Sequence, residues 1–317
     1  LTEVLTQFVA RDGKRIRPAL LYYTYRACGG SSDEQVMPMA MAVELLHTYL
    51  LIHDDIMDHA DVRRGGPAAH VIYRDLHRDR QWHGDSVHFG ESVAILLGDL
   101  AQTYSLELFS SVELAPEVAG EFRRQFSMMC QEVVLGQYLE MTAGYREHLE
   151  EDELLRVLRM KSGRYSVERP VQLGYLLARA PEASRQALTV YGLKMGEAFQ
   201  LQDDLLGLFG DAETVGKPVG GDLKEGKFTL LIHHALRHLA TDDRAALQRG
   251  LGNAELEPGE VMRLQRLIEA SGARQRVQEM VEERLRLAGE ALAAVELTEE
   301  GAAFLQGLID YLRGRKR

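Results

Sequence analysis

Three aspartates, Asp54, Asp55 and Asp58, lie close together at the end of a long apolar segment, residues 37–60. The spacing of the apolar residues predicts a helix that is buried on nearly all sides. At about 100° per residue, His47 shares a narrow stripe with Asp54 and Asp58. Buried carboxylates on one helix face repel each other and lose solvation, so they require cations. Because Mg²⁺ prefers carboxylate oxygens and also takes phosphate oxygens, the stripe predicts a magnesium site for a phosphorylated ligand.

An alternative interpretation is that this helix ends in solvent and that the aspartates are ordinary surface residues. The residues that follow favour the metal site, because Arg63 and Arg64 come after a short turn and precede Gly65 and Gly66. The guanidinium group presents forked donors that suit phosphate oxygens. Carboxylates followed by paired arginines therefore suit a diphosphate that is held from both sides.

A second acidic helix is predicted to carry Gln200, Asp203 and Asp204 on one face. Gly196 and Gly207 belong to the same helix, and the lack of side chains at these positions would leave room on that face. The arrangement repeats the pattern of the first acidic helix, so it predicts a second set of metal ligands.

A glycine-rich loop follows the second helix and carries Lys217, Asp222 and Lys227. Lysines near paired aspartates again indicate chemistry on a metal and a phosphate, although a solvated loop explains this stretch equally well when it is taken alone. Two independent sets, each an acidic helix followed by a basic loop, together favour a site for a diphosphate with metal ions.

Other polar groups give weaker signals. Lys14, Arg15 and Arg17 precede a predicted helix, and helix N-termini bind anions readily, but a basic cap at the surface is an equal alternative. Lys161 before Ser162 is a commonplace pair. Gln137 and Glu140 share a face of an apolar helix, and a hydrogen-bonded core pair and a functional role are equal alternatives for them. Four histidines are interpreted as residues of a solvated loop: His70, His77, His83 and His88.

The elements that position these residues are predicted to be helices throughout. Apolar side chains recur at helical spacing over residues 17–28, 37–60, 88–111, 115–143, 150–160, 166–180, 183–208, 226–239, 258–272, 275–291 and 298–314. No segment alternates like a strand, and no change of composition marks a domain boundary. The sequence therefore predicts an all-α protein, a single large helical bundle formed by one domain over residues 1–317. Three polar stretches are predicted to be loops, residues 12–18, 61–90 and 210–227.

The composition is that of a globular protein, with 45% apolar and 27% charged residues. The net charge of −11 argues against nucleic acid as a partner and favours cation binding. No uninterrupted apolar run reaches the roughly 18 residues that cross a bilayer, so no stable membrane anchor is expected. The two cysteines, Cys28 and Cys130, are expected to be buried, reduced thiols of a cytoplasmic protein.

In its motifs and their order the sequence resembles the trans-isoprenyl diphosphate synthases, a family that includes farnesyl and geranylgeranyl diphosphate synthases. The resemblance extends over essentially the whole chain and is carried by GKRIRP (13–18), ELLHTYLLIHDDIMDHADVRRG (44–65), FGESVAILLGDL (89–100), GQYLE (136–140), MKSGRYS (160–166), GEAFQLQDDLLGLFGD (196–211) and TVGKPVGGDLKEGK (214–227). It implies the type I isoprenoid synthase fold, an all-α bundle with a central apolar cavity.

The resemblance also implies roles at the matching positions. Three Mg²⁺ ions would be held against an allylic diphosphate by Asp54, Asp55, Asp58, Asp203 and Asp204. The same diphosphate would be contacted by Arg63, Lys161, Gln200, Lys217 and Lys227. The diphosphate of isopentenyl diphosphate would be bound by Lys14, Arg17, His47 and Arg64. The five aspartates, together with Lys161 and Lys227, form the implied catalytic set.

Two positions depart from the family pattern. Many members have a third aspartate of the second motif where this chain has Gly207, so one metal contact is expected from Asp203, Asp204 or water. The family often has aspartate where this chain has Glu140, which is a conservative change.

The length of the product is expected to depend on the floor of the apolar cavity. Tyr49 lies five residues before Asp54, which is about 7–8 Å along a helix. In the family, a large residue there resembles the pattern of the twenty-carbon geranylgeranyl product, and the fifteen-carbon farnesyl product is the close alternative. The helical periodicity itself places Leu50 nearer to the aspartate face, so both residues are candidates and the choice of Tyr49 rests on the resemblance.

The implied reaction is ionisation of an allylic diphosphate, attack by the double bond of isopentenyl diphosphate, and loss of a proton. Two other functions compete with it. A class I terpene cyclase shares the first aspartate motif but needs no second diphosphate site, and a non-catalytic subunit of a hetero-oligomeric synthase would have lost more of the motif aspartates. The resemblance further implies a homodimer.

Overall fold

The computed structural model describes residues 1–146, 149–210 and 220–315, and most of these residues are helical. By their contacts the residues form two compact units. The first unit comprises Leu1–Tyr22 and Ser31–Ala115, and the second comprises Tyr23–Gly30 and Pro116–Arg317. The predicted all-α class is confirmed, whereas the single domain over residues 1–317 stays a prediction.

The first unit is built around two long helices. Its elements are α1 (Thr2–Ala10), the start of α2 (Ile16–Ala27), α3 (Asp33–Met57), β1 (Val62–Arg63), β2 (Gly66–Pro67), α4 (Ala69–Asp79) and α5 (Ser86–Ser111). Helix α3 begins after Ser32, whose Oγ accepts a hydrogen bond from the backbone N–H of Gln35 at 3.3 Å. Both α3 and α4 pack along α5. Their shared core includes Leu5, Phe8, Ile52, Tyr73 and Leu97.

The prediction of one long loop over residues 61–90 is wrong, because helix α4 lies within it. The sequence pattern did not indicate this helix because its eleven residues, AHVIYRDLHRD, are mostly polar. The prediction of solvated histidines is therefore wrong for two of the four. His70 and His77 are buried on α4, and the His77 ring packs 5.1 Å from the ring of Phe89, between centroids. His83 and His88 are exposed, as predicted.

The expectation that the chain has no strand is also wrong, though by four residues only. Strands β1 and β2 pair antiparallel, with Val62 opposite Pro67 and Arg63 opposite Gly66. Strands of two residues are too short to show an alternating pattern in a sequence. The pair matters for function because it forms the turn that carries Arg64.

The second unit is helical in all its described elements. They are the end of α2, α6 (Pro116–Ala143), α7 (Glu151–Leu158), a π-helical segment (Arg159–Glu168), α8 (Arg169–Leu177), α9 (Glu182–Phe209), the single turn α10 (Gly221–Lys224), α11 (Leu230–His238), α12 (Thr241–Gly250), α13 (Pro258–Ala270), α14 (Ala273–Ala293) and α15 (Glu299–Gly314). Helix α9 packs mainly against α14 and the π-helical segment. The sequence prediction lacks α12, because its sequence, TDDRAALQRG, is mostly polar.

A buried ionic network connects α6 with α8 and the π-helical segment. Arg169, which is 4% exposed, donates from Nε and Nη2 to the two carboxylate oxygens of Glu132, at 2.8 Å each. Its Nη1 donates to Gln172 at 2.6 Å and also to Gln125. Arg164 donates to the same Glu132 at 2.8 Å. Because Arg169, Glu132, Gln125 and Gln172 are buried, their positions depend on each other.

Helix α3 is by length and mean hydropathy apolar enough to cross a membrane, although it contains no uninterrupted apolar run. Half of its most apolar window is buried inside the protein, as expected for a core helix of a soluble protein. A single helix of this kind is weak evidence for a membrane span. Cys28 and Cys130 are not joined in a disulfide and are partly buried, and burial raises the pKa of the Cys28 thiol to about 12.

Candidate active site

The end of α3 and the turn between β1 and β2 bring the first aspartates together with Arg63. Its Nε donates to Oδ1 of Asp55 at 2.6 Å, and its Nη2 lies 3.4 Å from Oδ2 of Asp54. Asp58 directly follows the last turn of α3, and its N–H donates to the carbonyl of Asp54 at 2.8 Å. Arg63 is thus the counter-ion of two adjacent carboxylates.

Asp55 is the most deeply buried of these carboxylates. Asp55 is fully buried, and its Oδ2 has no hydrogen-bond partner among the residues that the structure describes. Burial raises the pKa of this carboxyl, while the hydrogen bond and charge of Arg63 oppose the rise. A buried carboxylate oxygen without a donor is an acceptor that suits a cation. The first motif therefore fits a bound Mg²⁺ ion.

Basic side chains from two turns meet beside the middle of α3. Arg15 forms an ion pair with Glu44, and Nη2 of Arg64 lies 3.2 Å from the same carboxylate oxygen. Arg17 lies close by, with its Nη1 3.1 Å from Nε2 of His47. One glutamate therefore faces several guanidinium groups, which leaves the region positively charged and suited to an anion.

His47 lies within this positive region as a neutral ring. Its pKa is well below the usual histidine value, first because the ring is buried and then because of the charges of Arg17, Arg64, Arg63 and Arg15. A neutral imidazole can still donate one hydrogen bond without adding a further charge. The geometry is consistent with its predicted place beside an isopentenyl diphosphate.

Arg11 is a residue that the sequence analysis missed. Its Nη1 donates to the carbonyls of Arg63 at 3.2 Å and of Pro67 at 2.8 Å, so it holds the turn between β1 and β2. A Cβ atom on Gly66 would lie only 3.0 Å from the Arg11 guanidinium carbon, which indicates why glycine is found there. Lys14 is exposed on the neighbouring turn.

The two candidate residues for product length lie on the same helix. Tyr49 packs against the apolar core of the first unit, and its ring meets the His53 ring edge-on at 4.7 Å between centroids. Leu50 is half-buried. His53 itself sits above Gly98, which has no side chain to exclude it. Both Tyr49 and Leu50 stay candidates for the residue that sets the product length.

In the second unit, one pocket brings together four of the predicted site residues. Its lining includes Lys161, Gln200, Asp204 and Lys227, with Glu140 beside them. Glu140 forms an ion pair with Lys161. This contact favours a functional role for Glu140 over a core pair with Gln137, the two alternatives that the sequence left equal. The pocket thus contains two ammonium groups and two carboxyl groups, a set that suits phosphate with metal ions.

Glycines fix the position of the π-helical segment that carries Lys161. A Cβ atom on Gly136 of α6 would overlap the backbone of Lys161, and one on Gly196 of α9 would overlap the backbone of Gly163. The backbones of three helical elements can therefore approach closely at this point. At Gly196 the room on the face of the second acidic helix is filled by the backbone of Gly163.

The two aspartates of the second helix have different partners. Oδ1 of Asp203 accepts a hydrogen bond from Nη1 of Arg315 at 2.5 Å. Oδ1 of Asp204 accepts one from Nε2 of Gln200 at 2.7 Å. The pKa of Asp204 is raised to about 8. Burial is the largest cause, the Gln200 hydrogen bond opposes it, and the charges of Asp222, Asp203 and Glu140 add to the rise.

We expect the metal-free protein to lose stability as pH rises, because of Asp204. An unfolded aspartate releases its proton near pH 4, whereas the folded one keeps it up to about pH 8, so ionisation increasingly favours the unfolded chain between these values. In the Asp204→Asn variant this dependence is absent. In metal-free buffer, its thermal midpoint relative to the unmodified protein should rise from pH 5 to pH 8, and a constant difference would contradict the assignment.

Lys227 is surrounded by carboxylates at the same pocket. Its Nζ lies 3.2 Å from Oδ1 of Asp222 and 2.6 Å from Oε2 of Glu225. These charges raise the pKa of the ammonium group, against the effect of burial, so that it stays charged. Lys217, the other lysine predicted to contact diphosphate, lies outside the described residues.

The part of the chain that the structure describes contains no group of three or more His, Cys, Asp or Glu side chains set up to hold one ion. A complete protein cage is not needed for Mg²⁺, because this ion is usually held by one or two carboxylates together with water and substrate phosphates. The pairs Asp54 with Asp55 and Asp203 with Asp204 meet that requirement.

Comparisons with known proteins agree with this geometry. The chain matches the family described as Polyprenyl synthetase over residues 1–268. It is 40% identical to a short chain isoprenyl diphosphate synthase of Methanocaldococcus jannaschii, over 78% of this chain and 70% of that protein. It is 31% identical to a (2E,6E)-farnesyl diphosphate synthase of Mycobacterium bovis, over 96% of this chain and 80% of that protein.

Among solved structures, a geranylgeranyl pyrophosphate synthase of Corynebacterium glutamicum, complexed with isoprenyl diphosphate and magnesium, has a similar fold. Its TM-score is 0.92 at 33% identity, with 98% of this chain and 89% of that chain covered. The chain therefore belongs to the polyprenyl synthetase family and is a short-chain trans-prenyltransferase.

Proposed function

We propose that this enzyme condenses isopentenyl diphosphate head-to-tail with an allylic diphosphate. The observation that carries the proposal is the pocket of the second unit, where Lys161, Gln200, Asp204 and Lys227 converge. Two lysines beside a partly buried carboxyl suit a diphosphate with Mg²⁺. The aspartates paired with Arg63 in the first unit supply a second set of the same kind.

The predicted site residues would form two sets, one for each diphosphate. Asp54, Asp55, Asp58, Asp203 and Asp204 would hold three Mg²⁺ ions, and the allylic diphosphate would be contacted by Arg63, Lys161, Gln200, Lys217 and Lys227. The isopentenyl diphosphate would be bound by Lys14, Arg17, His47 and Arg64. The positive region around the neutral His47 supports this second assignment.

The reaction breaks the bond between the allylic carbon and its diphosphate oxygen, and the pyrophosphate leaves with the electron pair. Bound Mg²⁺ would neutralise the charge on this leaving group. Lys161 and Lys227 stabilise the same charge from fixed positions. The double bond of isopentenyl diphosphate then attacks the allylic carbocation, and the pyrophosphate takes the proton that is lost.

The proposal is tested with the purified chain, Mg²⁺ and labelled isopentenyl diphosphate. Dimethylallyl, geranyl and farnesyl diphosphate are supplied separately, and the dephosphorylated products are sized. Elongation of at least one starter is expected. The absence of elongation with all three would favour a non-catalytic subunit, and hydrocarbons in place of alcohols would indicate a terpene cyclase.

We infer that the main product has twenty carbons, as geranylgeranyl diphosphate does. The large side chain of Tyr49, packed against the core of the first unit, supports a barrier at this position. A fifteen-carbon farnesyl product is the alternative, since one similar enzyme carries the farnesyl name.

Tyr49→Ala is expected to lengthen the product, because removal of the ring opens space below the first aspartates. The measurement is the distribution of product lengths from geranyl and farnesyl diphosphate. Tyr49→Phe keeps the volume of the ring and serves as the control with an unchanged product. An unchanged distribution of product lengths in the alanine variant would contradict the role of Tyr49 and would indicate that another residue, such as Leu50, forms the barrier.

We propose that the enzyme is a cytoplasmic homodimer with no nucleic acid or membrane partner. Exposed apolar side chains support an association of subunits. In the first unit Ile95 and Leu96 project from α5, and in the second unit Val134, Leu135 and Tyr138 project from α6, each at least 45% exposed. Exposed apolar side chains grouped along a helix in this way are often part of protein interfaces. The sedimentation coefficient of the purified chain tests the dimer.

A further inference from the structure

The second unit contains a pocket whose described lining includes none of the predicted site residues. It lies between the end of α11 and the start of α14, and we call it the α14 pocket. Its volume of about 410 Å³ is within the roughly 300–1,000 Å³ that is usual for small-molecule sites. Most side chains of its lining can donate hydrogen bonds, and the charged or titratable ones are Glu151, His234, Arg237, His238 and Arg276.

His234 is the group in the α14 pocket that indicates a ligand most directly. It is only 6% exposed, and its Nε2 has no hydrogen-bond partner among the residues that the structure describes. A buried nitrogen without a partner is rare in folded proteins and requires an explanation. An acceptor bound in the pocket would provide one.

The imidazole of His234 can meet an acceptor as a neutral donor. Burial is the main cause of its lowered pKa, and the charge of Glu151 opposes this effect. The charges of three neighbours lower the pKa further: His233, Arg276 and His238. The ring is therefore neutral at pH 7 and can donate one hydrogen bond.

The start of α14 supplies backbone donors to the same pocket. The helix is 21 residues long, and the positive end of its dipole lies at this terminus. Its N-cap residue is Gly272, so no side chain caps the first N–H groups. The N–H of Ala273 donates to Oγ of Ser271 at 3.3 Å. Because N–H groups of the first turn lack acceptors within a helix, the N-terminus of α14 suits an anion.

Two arginines give the α14 pocket a positive charge. Arg237 and Arg276 are exposed, and Glu151 is the one carboxylate among the described residues of the lining. Two guanidinium groups thus stand against one carboxylate, while His234 adds a donor without a charge. Because the forked donors of guanidinium match phosphate oxygens, this balance favours a phosphate anion over a neutral ligand.

We propose that the α14 pocket is a second binding site, which takes a compact phosphate anion such as inorganic phosphate or pyrophosphate. Its described lining contains no apolar side chain larger than that of Ala273, so a hydrocarbon tail would find no apolar partner there. The site thus differs in its ligand from a site for prenyl diphosphates. A bound anion would link α11 and α14 to α7, and both α7 and α11 also line the pocket that contains Lys161, through Leu154 and Leu230.

The test follows the imidazole of His234 by NMR while inorganic phosphate or, separately, inorganic pyrophosphate is added. The 11 histidines are isotopically labelled, and the signal of His234 is identified by its absence from the His234→Phe variant. The buffer contains a chelator and no Mg²⁺, and chloride keeps the ionic strength constant. The apparent dissociation constant is obtained from the shift of this signal with anion concentration.

Two double variants are compared with the unmodified protein. Arg237→Ala/Arg276→Ala removes the two guanidinium groups of the pocket. Arg249→Ala/Arg263→Ala is the control, and it removes two guanidinium groups outside the described lining. Both variants lose the same charge, so a general electrostatic effect would be equal in the two. All four arginines are exposed, so both variants should stay folded, which their thermal midpoints check.

A saturable shift of the His234 signal is expected with at least one of the two anions. Its apparent dissociation constant should rise at least about tenfold in Arg237→Ala/Arg276→Ala, because two charge-assisted contacts are lost, and by less than about twofold in the control. The anion with the lower dissociation constant in the unmodified protein identifies the ligand as phosphate or pyrophosphate.

The absence of a saturable shift with either anion would overturn the inference. An unchanged dissociation constant in Arg237→Ala/Arg276→Ala would also overturn it, and so would an equal rise in the control, which would indicate general attraction of anions. The inference does not depend on the proposed function, because no step of the test requires elongation of a starter. A chain that elongates its starters but shows no shift at His234 would keep the proposed function and lose only this site.

Discussion

Replacement of Asp54 by alanine is expected to lower turnover by about a thousandfold or more at saturating substrates. The carboxylate would hold metal that neutralises the leaving diphosphate, and loss of one such preorganised group typically reduces the rate constant by about 10²–10³-fold. The metal contact adds to this effect, since its stabilisation of the transition state is worth several kcal/mol. Turnover is measured from labelled isopentenyl diphosphate under initial-rate conditions.

The control for this variant is Asp79→Ala, an exposed aspartate at the end of α4. It should keep turnover within about twofold, because it lies outside the proposed machinery and surface substitutions rarely matter. Asp54 is partly exposed, so its alanine variant should also stay folded, with a nearly unchanged thermal midpoint. Turnover of Asp54→Ala within tenfold of the unmodified enzyme would contradict the assignment of the first metal set.

Arg169→Met should destabilise the protein by about 3–5 kcal/mol, the second large effect that we expect. The substitution removes both hydrogen bonds from Arg169 to Glu132 and leaves a carboxylate largely buried with one remaining arginine, Arg164. Urea denaturation followed by circular dichroism measures the loss as a lower midpoint. The ion pair itself need not be stabilising for this result, because the effect comes from the partner that stays behind.

Two variants sharpen this prediction. Arg179→Met makes the same change at an exposed pair with Glu117 and should change the stability by less than about 1 kcal/mol. The double variant Glu132→Met/Arg169→Met should recover most of the loss, because both charged groups of the pair are then replaced and no buried carboxylate is left without Arg169. If the double variant is as unstable as the single one, packing rather than charge accounts for the effect.

The sequence predicted those parts of the site that depend on local spacing. Asp54, Asp55 and Arg63 are within nine residues of each other, so one helix and one turn bring them together. The same holds for Gln200 and Asp204, one helical turn apart. The helical class also follows from local periodicity, which is why the long helices were found with small errors at their ends.

The parts that were missed depend on contacts between distant segments or on weak local signals. Arg315 pairs with Asp203 across 112 positions, and no spacing rule connects them. Lys161 pairs with Glu140 because Gly136 allows α6 to contact the π-helical segment, a backbone contact that residue types alone do not specify. Helix α4 was not predicted for a different reason: tertiary packing stabilises a segment whose polar composition resembles that of a loop.

The π-helical segment at Arg159–Glu168 limits the insertions and deletions that this enzyme can tolerate. Hydrogen bonds from residue i to i+5 mean that each turn contains more residues than an α-helical turn. Loss of one residue would let the segment relax into an α-helix and would rotate Lys161 away from the pocket without breaking the helix. We therefore expect this stretch to be among the least tolerant of length changes, although it contains none of the aspartates.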